Sequence, residues 1–272
     1  MPTPTPTMDD AAALALADRV SDWLKSKMEE AHAERFVFGL SGGIDSAVVA
    51  GLCARAVGPE RVLPIIMPSS SIAEDAIEAH KVADAFGLKT VTIDLTPVAD
   101  AVFEAMPTEA HLYGDVFGDE APENSESRLQ LARANVRPRS RMITNYYLAN
   151  LTGGMVVGTG NKTEYLIGYF TKWGDGGVDI MPIVDLYKYE VRAVAKAIGV
   201  PESVITRPPS AGLWVGQTDE SEIGMSYADL DTTLLAIENG DTSAIDPETL
   251  AKVERKVATS AHKRTSVPAF KK

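Results

Sequence analysis

The 272-residue chain has one cysteine, Cys53, and therefore cannot form a disulfide bond within itself. A chain without disulfides is typical of a reducing compartment, so the sequence predicts a cytoplasmic protein. Cys53 follows Ala50 and precedes Ala54 and Val57 at helical spacing. This pattern favours a buried core thiol over a reactive nucleophile.

Long apolar runs and an excess of basic residues are also missing. No apolar run approaches the roughly 18 residues that a membrane-spanning helix needs. The apolar stretch over 11–17 follows two aspartates and has no basic leader, which argues against a secretion signal. With 26 basic and 38 acidic residues, the net charge is −12. Such a chain repels a phosphate backbone at long range, so neither membrane nor nucleic-acid binding is expected.

Short β-rich runs alternate with helical patterns along most of the chain. This alternation predicts an α/β fold, a doubly wound parallel β-sheet flanked by helices. We expect a single domain over 8–272, behind a flexible Pro- and Thr-rich tail over 1–7. The predicted strands cover 36–40, 62–67, 90–95 and 154–158, and the predicted helices include 9–32, 47–57 and 72–86.

Other segments carry weaker or broken patterns. Residues 101–124 contain several Pro and Gly residues and predict an irregular excursion, and Pro138 predicts a break in the helix that follows. Residues 207–224 predict an ordered or ligand-ordered loop. A helix face of Val191, Val194, Ala195 and Ile198 should end at Gly199, and a last helix should begin at Asp246-Pro247.

The most informative motif is the loop Ser41-Gly42-Gly43-Ile44-Asp45-Ser46, between the first predicted strand and a helix. Such a loop points unpaired backbone N–H groups and the positive end of the helix dipole into one concavity. Two glycines also let an anion approach the backbone closely. The loop therefore predicts a phosphate site.

Two rival interpretations of this loop are weighed against the same residues. Gly39-Leu40-Ser41-Gly42-Gly43 matches the nucleophile elbow of serine hydrolases, but only one helix precedes this strand to supply an oxyanion-hole loop. A Walker loop is excluded, because the Gly-Lys-Ser/Thr ending is absent.

Polar side chains also follow the strand predicted at 154–158. If this strand lies near the switch point of the sheet, Asp45 and Glu164 are candidates to share Mg²⁺ beside bound phosphate. The alternative makes Glu164 a first-turn helix acid. Residues 169–179 fit a hairpin turn and a ligand-pocket rim equally well.

The loop resembles the pyrophosphate-binding loop of the N-type ATP pyrophosphatases, which include synthetases of NAD, GMP, asparagine and argininosuccinate and several tRNA-modifying enzymes. The downstream motifs resemble one branch of that superfamily, the NAD⁺ synthetases. They are Gly-Thr-Gly-Asn-Lys-Thr-Glu at 158–164, Gly-Tyr-Phe-Thr-Lys-Trp-Gly-Asp-Gly-Gly at 168–177, Pro-Pro-Ser-Ala-Gly-Leu-Trp at 208–214, Gly-Gln-Thr-Asp-Glu at 216–220 and His-Lys-Arg at 262–264.

The resemblance implies roles for individual positions. ATP would be bound by Gly39, Leu40, Ser41, Gly42, Gly43, Ile44, Asp45, Ser46, Thr159, Lys188 and Ser210. Deamido-NAD⁺ would be bound by Arg139, Lys172, Asp179, His262 and Lys263, with Mg²⁺ on Asp45 and Glu164. Asp45, Lys188 and Asp175 would be catalytic, and Asp175 is our candidate to bind ammonium and accept its proton.

The implied reaction is amidation of deamido-NAD⁺ to NAD⁺ through an acyl-adenylate, with release of pyrophosphate and AMP, in a homodimer. Candidate interface helices lie in 126–150. Free ammonia is expected as nitrogen donor, because the chain is short for an added glutaminase domain and Cys53 is a core thiol. A tRNA-modifying enzyme and a non-catalytic nucleotide-binding module stay open, the former because Arg133, Arg137, Arg139 and Arg141 cluster.

Overall fold

The strands of the protein form one parallel sheet in the computed structural model. The structure describes residues 6–69, 73–209 and 218–271. In chain order the strands are β1 (Arg35–Gly39), β2 (Val62–Ile66), β3 (Val91–Thr92) and β4 (Gly154–Val156). Their spatial order is β3-β2-β1-β4, so the winding reverses between β1 and β4. Ligands of open parallel sheets bind beyond the carboxyl ends of the strands at such a switch point.

Strand β1 is buried on both faces, as expected for the centre of a parallel sheet. Phe36 and Phe38 pack into the larger hydrophobic core, whereas Val37 points into a smaller core on the opposite face. Period-two alternation along a strand accounts for this division. The predicted doubly wound α/β fold is therefore confirmed.

Helices cover both faces of the sheet. They are α1 (Asp10–Glu30), α2 (Ile44–Val57), α3 (Ala73–Ala85), α4 (Thr96–Ala105), α5 (Ser125–Leu151), α6 (Lys162–Ile167), α7 (Lys188–Ile198), α8 (Glu202–Ile205), α9 (Asp219–Ile223), α10 (Tyr227–Asn239) and α11 (Pro247–Thr259). Helices α1, α2 and α7 pack together beneath the larger core, and α5 packs on β1 and β4. A third core joins α6, α10 and α11.

Most helix boundaries follow from capping residues. Asp9 caps α1 by accepting a hydrogen bond from the N–H of Ala12, and Asp246 caps α11 in the same way through Thr249. Gly199 ends α7 in the left-handed conformation. The start of the last helix and the end of α7 were both predicted from these residues. Cys53 is fully buried, which raises the pKa of its thiol and confirms the core interpretation.

Three local predictions were wrong. Residues 101–105 belong to α4 and His111–Phe117 form a π-helix, so the segment 101–124 is partly helical. Helix α5 continues through Pro138, with the hydroxyls of Ser140 and Thr144 bonded to carbonyls one turn back. The strand predicted at 90–95 shrinks to Val91–Thr92.

The buried face of α1 runs through Ala13, Ala17, Val20 and Leu24, whereas Trp23 is 39% exposed. Among the described residues, no helix is long and apolar enough to cross a membrane.

Candidate active site

The predicted phosphate loop lies at the carboxyl end of β1, the central strand beside the switch point. Gly43 is the N-cap of α2 and has no side chain to close the helix end. The Ser46 hydroxyl accepts the N–H of Ser41 at 3.2 Å and lies 3.0 Å from the Ser41 hydroxyl. These bonds fold the loop into a turn whose mouth faces the start of α2, where anions are favoured.

Gly42 is the residue that makes this turn possible. Its φ of +81° lies in the region that L side chains rarely adopt. A Cβ at this position would come within 2.3 Å of the carbonyl oxygen of Asp75 at the start of α3. The loop is therefore held against α3 by a contact that only glycine permits.

A buried lysine joins the loop to α6, the helix that follows β4 across the switch point. Lys188, the first residue of α7, places its Nζ 2.5 Å from Asp45 Oδ2 and 2.9 Å from Glu164 Oε1. Its side chain is only 1% exposed. A buried ammonium ion between two carboxylates is stable because each charge is paired and hydrogen-bonded.

The pKa values of this triad follow from burial and mutual charge. Burial alone would lower the pKa of Lys188, but the negative charges of Asp45 and Glu164 outweigh it and raise that pKa above its usual value. Burial raises the pKa of Glu164 to about 7, helped by the charge of Asp45 and opposed by that of Lys188. The ammonium stays charged across the physiological range.

Other side chains hold the triad in place. The Nδ2 of Asn161 donates to Asp45 Oδ1 at 2.9 Å, while its Oδ1 accepts the N–H of Glu164 and caps α6. The Thr163 hydroxyl bonds to Asp231 at 2.5 Å and accepts the backbone N–H of Lys188 at 3.0 Å. These bonds fix the side chains before a ligand arrives.

A second line of polar groups leads away from Glu164. The Tyr227 hydroxyl lies 2.8 Å from Glu164 Oε1 and 3.0 Å from Asp219 Oδ2. Tyr169 lies 3.2 Å from the other oxygen of Asp219. Burial raises the pKa of Asp219 above its usual value. This network ties α6 to α9 and α10.

One cavity of about 760 Å³ lies above these groups, large enough for a nucleotide and part of a second ligand. The predicted site residues that line it in the described part of the chain are Gly39, Leu40, Ser41, Gly43, Ile44, Asp45, Ser46, Thr159, Glu164, Asp175 and Lys263. Lys188 lies buried beneath it, in contact with Asp45 and Glu164. Ser210 falls outside the described residues.

Four residues predicted to bind the second substrate lie outside this cavity. Arg139 is exposed, and its Nη2 lies 3.5 Å from the carbonyl oxygen of Lys172. The Nζ of Lys172 donates to the carbonyl oxygen of His262 at 2.6 Å. Asp179 accepts hydrogen bonds from the Tyr146 hydroxyl and the Val156 N–H. His262 lines a smaller neighbouring cavity of about 350 Å³, which shares Lys263 with the larger one.

Asp175 lines the same cavity as the phosphate loop. The residue keeps some solvent-exposed surface, but the protein around its carboxylate raises the pKa of Asp175 by burial. The hydrogen bond from the N–H of Thr171, at 2.8 Å, and the positive charges of Lys263 and Arg141 lower that pKa and so oppose the effect. A carboxylate with a raised pKa is suited to accept and hold a proton.

The donor set fits a hard cation that also binds phosphate. Among the described residues, no three His, Cys, Asp or Glu side chains are grouped to hold a metal ion by themselves. Mg²⁺ commonly takes only one or two carboxylates and completes its shell with phosphate oxygens and water. Lys188 and Tyr227 both donate to Oε1 of Glu164.

The sequence analysis assigned no role in this site to five residues that the structure places there, namely Asn161, Asp219, Tyr227, Arg141 and Arg207. Only Asn161 carries a local signal, since Asn three residues before Glu is an N-cap pattern. The Ser41 hydroxyl is bonded within the loop to Ser46 and Gly43, an arrangement that suits a loop-stabilising group rather than the nucleophile of a hydrolase.

Comparison with known proteins identifies related chains. The family model described as NAD synthase matches residues 16–267. Relatives named NH(3)-dependent NAD(+) synthetase are 42% identical in Archaeoglobus fulgidus, covering 93% of this chain and 95% of that one, and 44% identical in Carboxydothermus hydrogenoformans, covering 91% and 93%. Among solved structures, the NMN synthetase from Francisella tularensis has a TM-score of 0.80 at 30% identity, covering 95% and 98%. The NH3-dependent NAD synthetase from Campylobacter jejuni has 0.76 at 27%, covering 97% and 100%.

Proposed function

The chain belongs to the NAD synthase family, and we propose that it is a carbon–nitrogen ligase converting deamido-NAD⁺, ATP and ammonia to NAD⁺, AMP and pyrophosphate. The observation that carries this proposal is the triad of Asp45, Lys188 and Glu164 behind a phosphate loop, with Asp175 in the lining of the same cavity. The first group suits the leaving pyrophosphate, and the second suits the incoming nitrogen.

Activation of the carboxylate comes first, because a carboxylate is anionic and has no good leaving group. One carboxylate oxygen of deamido-NAD⁺ bonds to the α-phosphorus of ATP, and the bond from that phosphorus to the bridging oxygen breaks. Negative charge grows on the departing pyrophosphate. The loop N–H groups and the buried Lys188 ammonium are oriented for that charge before the reaction begins.

Mg²⁺ fits this site as a companion of ATP. We propose that Asp45 and Glu164 hold it, since hard oxygen ligands next to phosphate are what this ion prefers. When bound, it would neutralise phosphate charge as a Lewis acid.

Amide formation consumes the acyl-adenylate. Ammonia nitrogen bonds to the carbonyl carbon, the bond to the AMP oxygen breaks, and one proton is released. Ammonium must lose a proton before it can attack, and Asp175 is placed to bind ammonium and accept that proton. The raised pKa of Asp175 brings its carboxylate closer to the range where it can act as a base.

The remaining positions in our proposal concern the second substrate. None of Arg139, Lys172, Asp179 and His262 lines the cavity, and Asp179 bonds to Tyr146 of α5. Arg139, Lys172 and His262 are linked by hydrogen bonds on a surface beside it. We propose that the outer part of deamido-NAD⁺ crosses this surface, and that a second copy of the chain packs against α5 to complete it. Ser210, Thr159 and Lys263 complete the proposed set of ligand-binding residues.

The relative titled NMN synthetase suggests a second acceptor, the mononucleotide that carries the same acid. The two acceptors differ in the outer nucleotide. A dinucleotide would use the exposed surface around Arg139 and Lys172, whereas a mononucleotide would need only the cavity.

One assay tests the proposal and separates the acceptors. Purified protein is given ATP, Mg²⁺ and either the acid dinucleotide or the acid mononucleotide, with ammonium or glutamine as the nitrogen source. We expect AMP and NAD⁺ in equal amounts from the dinucleotide with ammonium. Absence of AMP with both acceptors would refute the proposal. Amidation of the mononucleotide alone would show that the mononucleotide, and not deamido-NAD⁺, is the acceptor.

A further inference from the structure

Helix α5 presents one continuous stripe to the main cavity. Its cavity-lining residues recur at spacings of three and four, which is one face of a helix. They run from Ser127 to Asn145 and include Pro138, Arg141 and Met142. Of the four clustered arginines on this helix, Arg141 is the one that lines the cavity within the described residues.

Two of the other three arginines point to different surroundings. Arg133 lies over the ring of Phe103, 5.7 Å from its centroid, and Arg139 is exposed and directed to the carbonyl of Lys172. Helical geometry therefore singles out Arg141 from a cluster that the sequence alone could not divide.

Arg141 is held in position by the sheet. Its Nε donates to the carbonyl of Met67 at 3.2 Å, just beyond the end of β2. The residue is half-buried in the cavity wall, and the surrounding protein lowers the pKa of its guanidinium, while the charges of Asp175 and Asp75 oppose that effect. A desolvated guanidinium in a cavity wall is a strong donor to an anionic ligand.

The neighbour that identifies the ligand is Asp175. Both Asp175 and Arg141 line the main cavity. The turn that carries Asp175 packs on α5 beside Arg141, since a Cβ at Gly174 would lie 3.1 Å from Pro138 and one at Gly177 would lie 3.2 Å from Met142. If ammonia is delivered from Asp175, the carbon that it attacks must lie beside Asp175, and hence beside Arg141. The triphosphate, by contrast, is placed by the loop after β1 and by Lys188.

We propose that Arg141 binds the carboxylate of the acceptor and stays on its oxygen through both chemical steps. It would orient the carboxylate toward the α-phosphorus and then stabilise the oxyanion that forms when ammonia adds. Arg141 is thus a catalytic residue of the proposed reaction, and this inference rests on the proposed function.

The test compares two ligands that differ only at the group in question. NAD⁺ carries an uncharged amide where deamido-NAD⁺ carries the carboxylate. Dissociation constants for both are measured with a non-hydrolysable ATP analogue present, in the wild-type protein, in Arg141→Met and in Arg133→Met as the matched control on the same helix.

We expect Arg141→Met to weaken binding of the acid by about 10- to 100-fold, the usual worth of a hydrogen bond to a charged group, and to change NAD⁺ binding by less than about threefold. The kcat/KM for the acid should fall by about 10²–10³, with KM for ATP unchanged. Arg141→Lys should retain part of the preference for the acid, because it keeps the charge but not the planar fork. Arg133→Met should resemble the wild type.

Three results would overturn the inference. Equal loss of the acid and the amide would make Arg141 structural, and a rise in KM for ATP alone would assign it to phosphate. If Arg141→Met does not fold, the same comparison is made with Arg141→Lys. Failure of the wild-type protein to form AMP would count against the proposed function, whereas normal turnover with unaltered discrimination in Arg141→Met would count only against this role.

Discussion

At the scale of single residues, the molecule depends on one buried cation. Lys188 bridges Asp45 and Glu164. These carboxylates lie in the first turns of α2 and α6, the helices that follow the two strands on either side of the switch point. The bridge brings the phosphate loop and α6 together before any ligand binds. Preorganised charge of this kind is the largest single contribution to many enzymatic rates.

Asp45→Asn tests the role of the loop carboxylate. The substitution keeps the shape and leaves Glu164 to pair with Lys188, so the fold should survive. It removes the charge proposed to hold Mg²⁺, and pyrophosphate release should fall by at least about 10²-fold. Release is measured by a coupled phosphate assay at saturating ATP, with exposed Asp18→Asn as control. An unaltered rate would exclude the metal role.

Asp175→Asn tests whether the buried carboxylate of Asp175 lowers the stability of the folded protein. Because burial raises the folded-state pKa of Asp175, its ionisation costs stability as pH rises from the unfolded-state value through the folded-state value. Above that window the Asn variant should be more stable than the wild type, within the roughly 0.5–3 kcal/mol of most single substitutions. Below about pH 3 both side chains are uncharged, and the difference should disappear.

Urea unfolding at pH 3 and pH 7.5 measures this difference. A wild-type protein that is more stable than Asp175→Asn at pH 7.5 would contradict the burial argument.

The same residue can be tested as a base through Asp175→Ala. Turnover should be lost at neutral pH and recovered in part at high pH with saturating ammonium, since free ammonia then needs no base. Steady-state AMP formation from pH 7 to 9.5 gives the profile. Equal loss at every pH would assign Asp175 a binding or structural role only.

At the scale of elements, the phosphate loop is set by one glycine contact. Gly42→Ala must adopt a positive φ and also place its Cβ 2.3 Å from the Asp75 carbonyl. Gly199→Ala is a matched control, because its φ is +84° but nothing lies within 4 Å of its Cβ.

We expect Gly199→Ala to cost about 1–2 kcal/mol of stability from backbone strain alone. Gly42→Ala should cost more and should also raise KM for ATP by at least about tenfold, since the loop must move away from α3. Thermal unfolding and ATP titration of both variants give the comparison. Equal effects of the two variants would show that the contact with Asp75 does not shape the loop.

The fold was largely predictable because its elements carry local signals. The glycine loop, the caps Asp9 and Asp246, and the two-sided burial of β1 all follow from spacing and residue type. Pro138 was misleading, because a proline removes one hydrogen bond but α5 is held by packing on both β1 and β4.

The site was predictable only where it is continuous in sequence. The loop and Glu164 follow strand ends, whereas Lys188 was assigned by resemblance alone and Arg141 was left within a cluster of four. Tyr227 bonds to Glu164 across 63 residues of sequence, and Asp219 is connected to Glu164 through the same Tyr227 hydroxyl. Such contacts depend on how α9 and α10 pack on α6, which no local pattern encodes.

At the scale of the whole molecule, α5 divides its surface between two tasks. One stripe lines the cavity, and another exposes Ile143, Tyr147 and Leu151, which are 64–68% exposed at helical spacing. Exposed apolar side chains in such a stripe are typical of an interface, and a second copy of this chain is the partner that we propose.

Ile143→Glu together with Tyr147→Glu should separate the copies. Light scattering should give twice 29.1 kDa for the wild-type protein and 29.1 kDa for the double variant, because buried charges oppose association. Amidation of the dinucleotide should fall with the dimer. Leu14→Glu, on an exposed position of α1, is the control, and a wild-type monomer would contradict the assignment.

The central claim is that this chain joins AMP to the acceptor carboxylate before nitrogen arrives. Deamido-NAD⁺ labelled with ¹⁸O in its carboxylate tests this directly, because the attacking oxygen stays with AMP when ammonia displaces it. We predict that mass spectrometry finds one ¹⁸O in each AMP and one in each NAD⁺ formed with ATP and ammonium. Label in pyrophosphate, or AMP without label, would contradict the account.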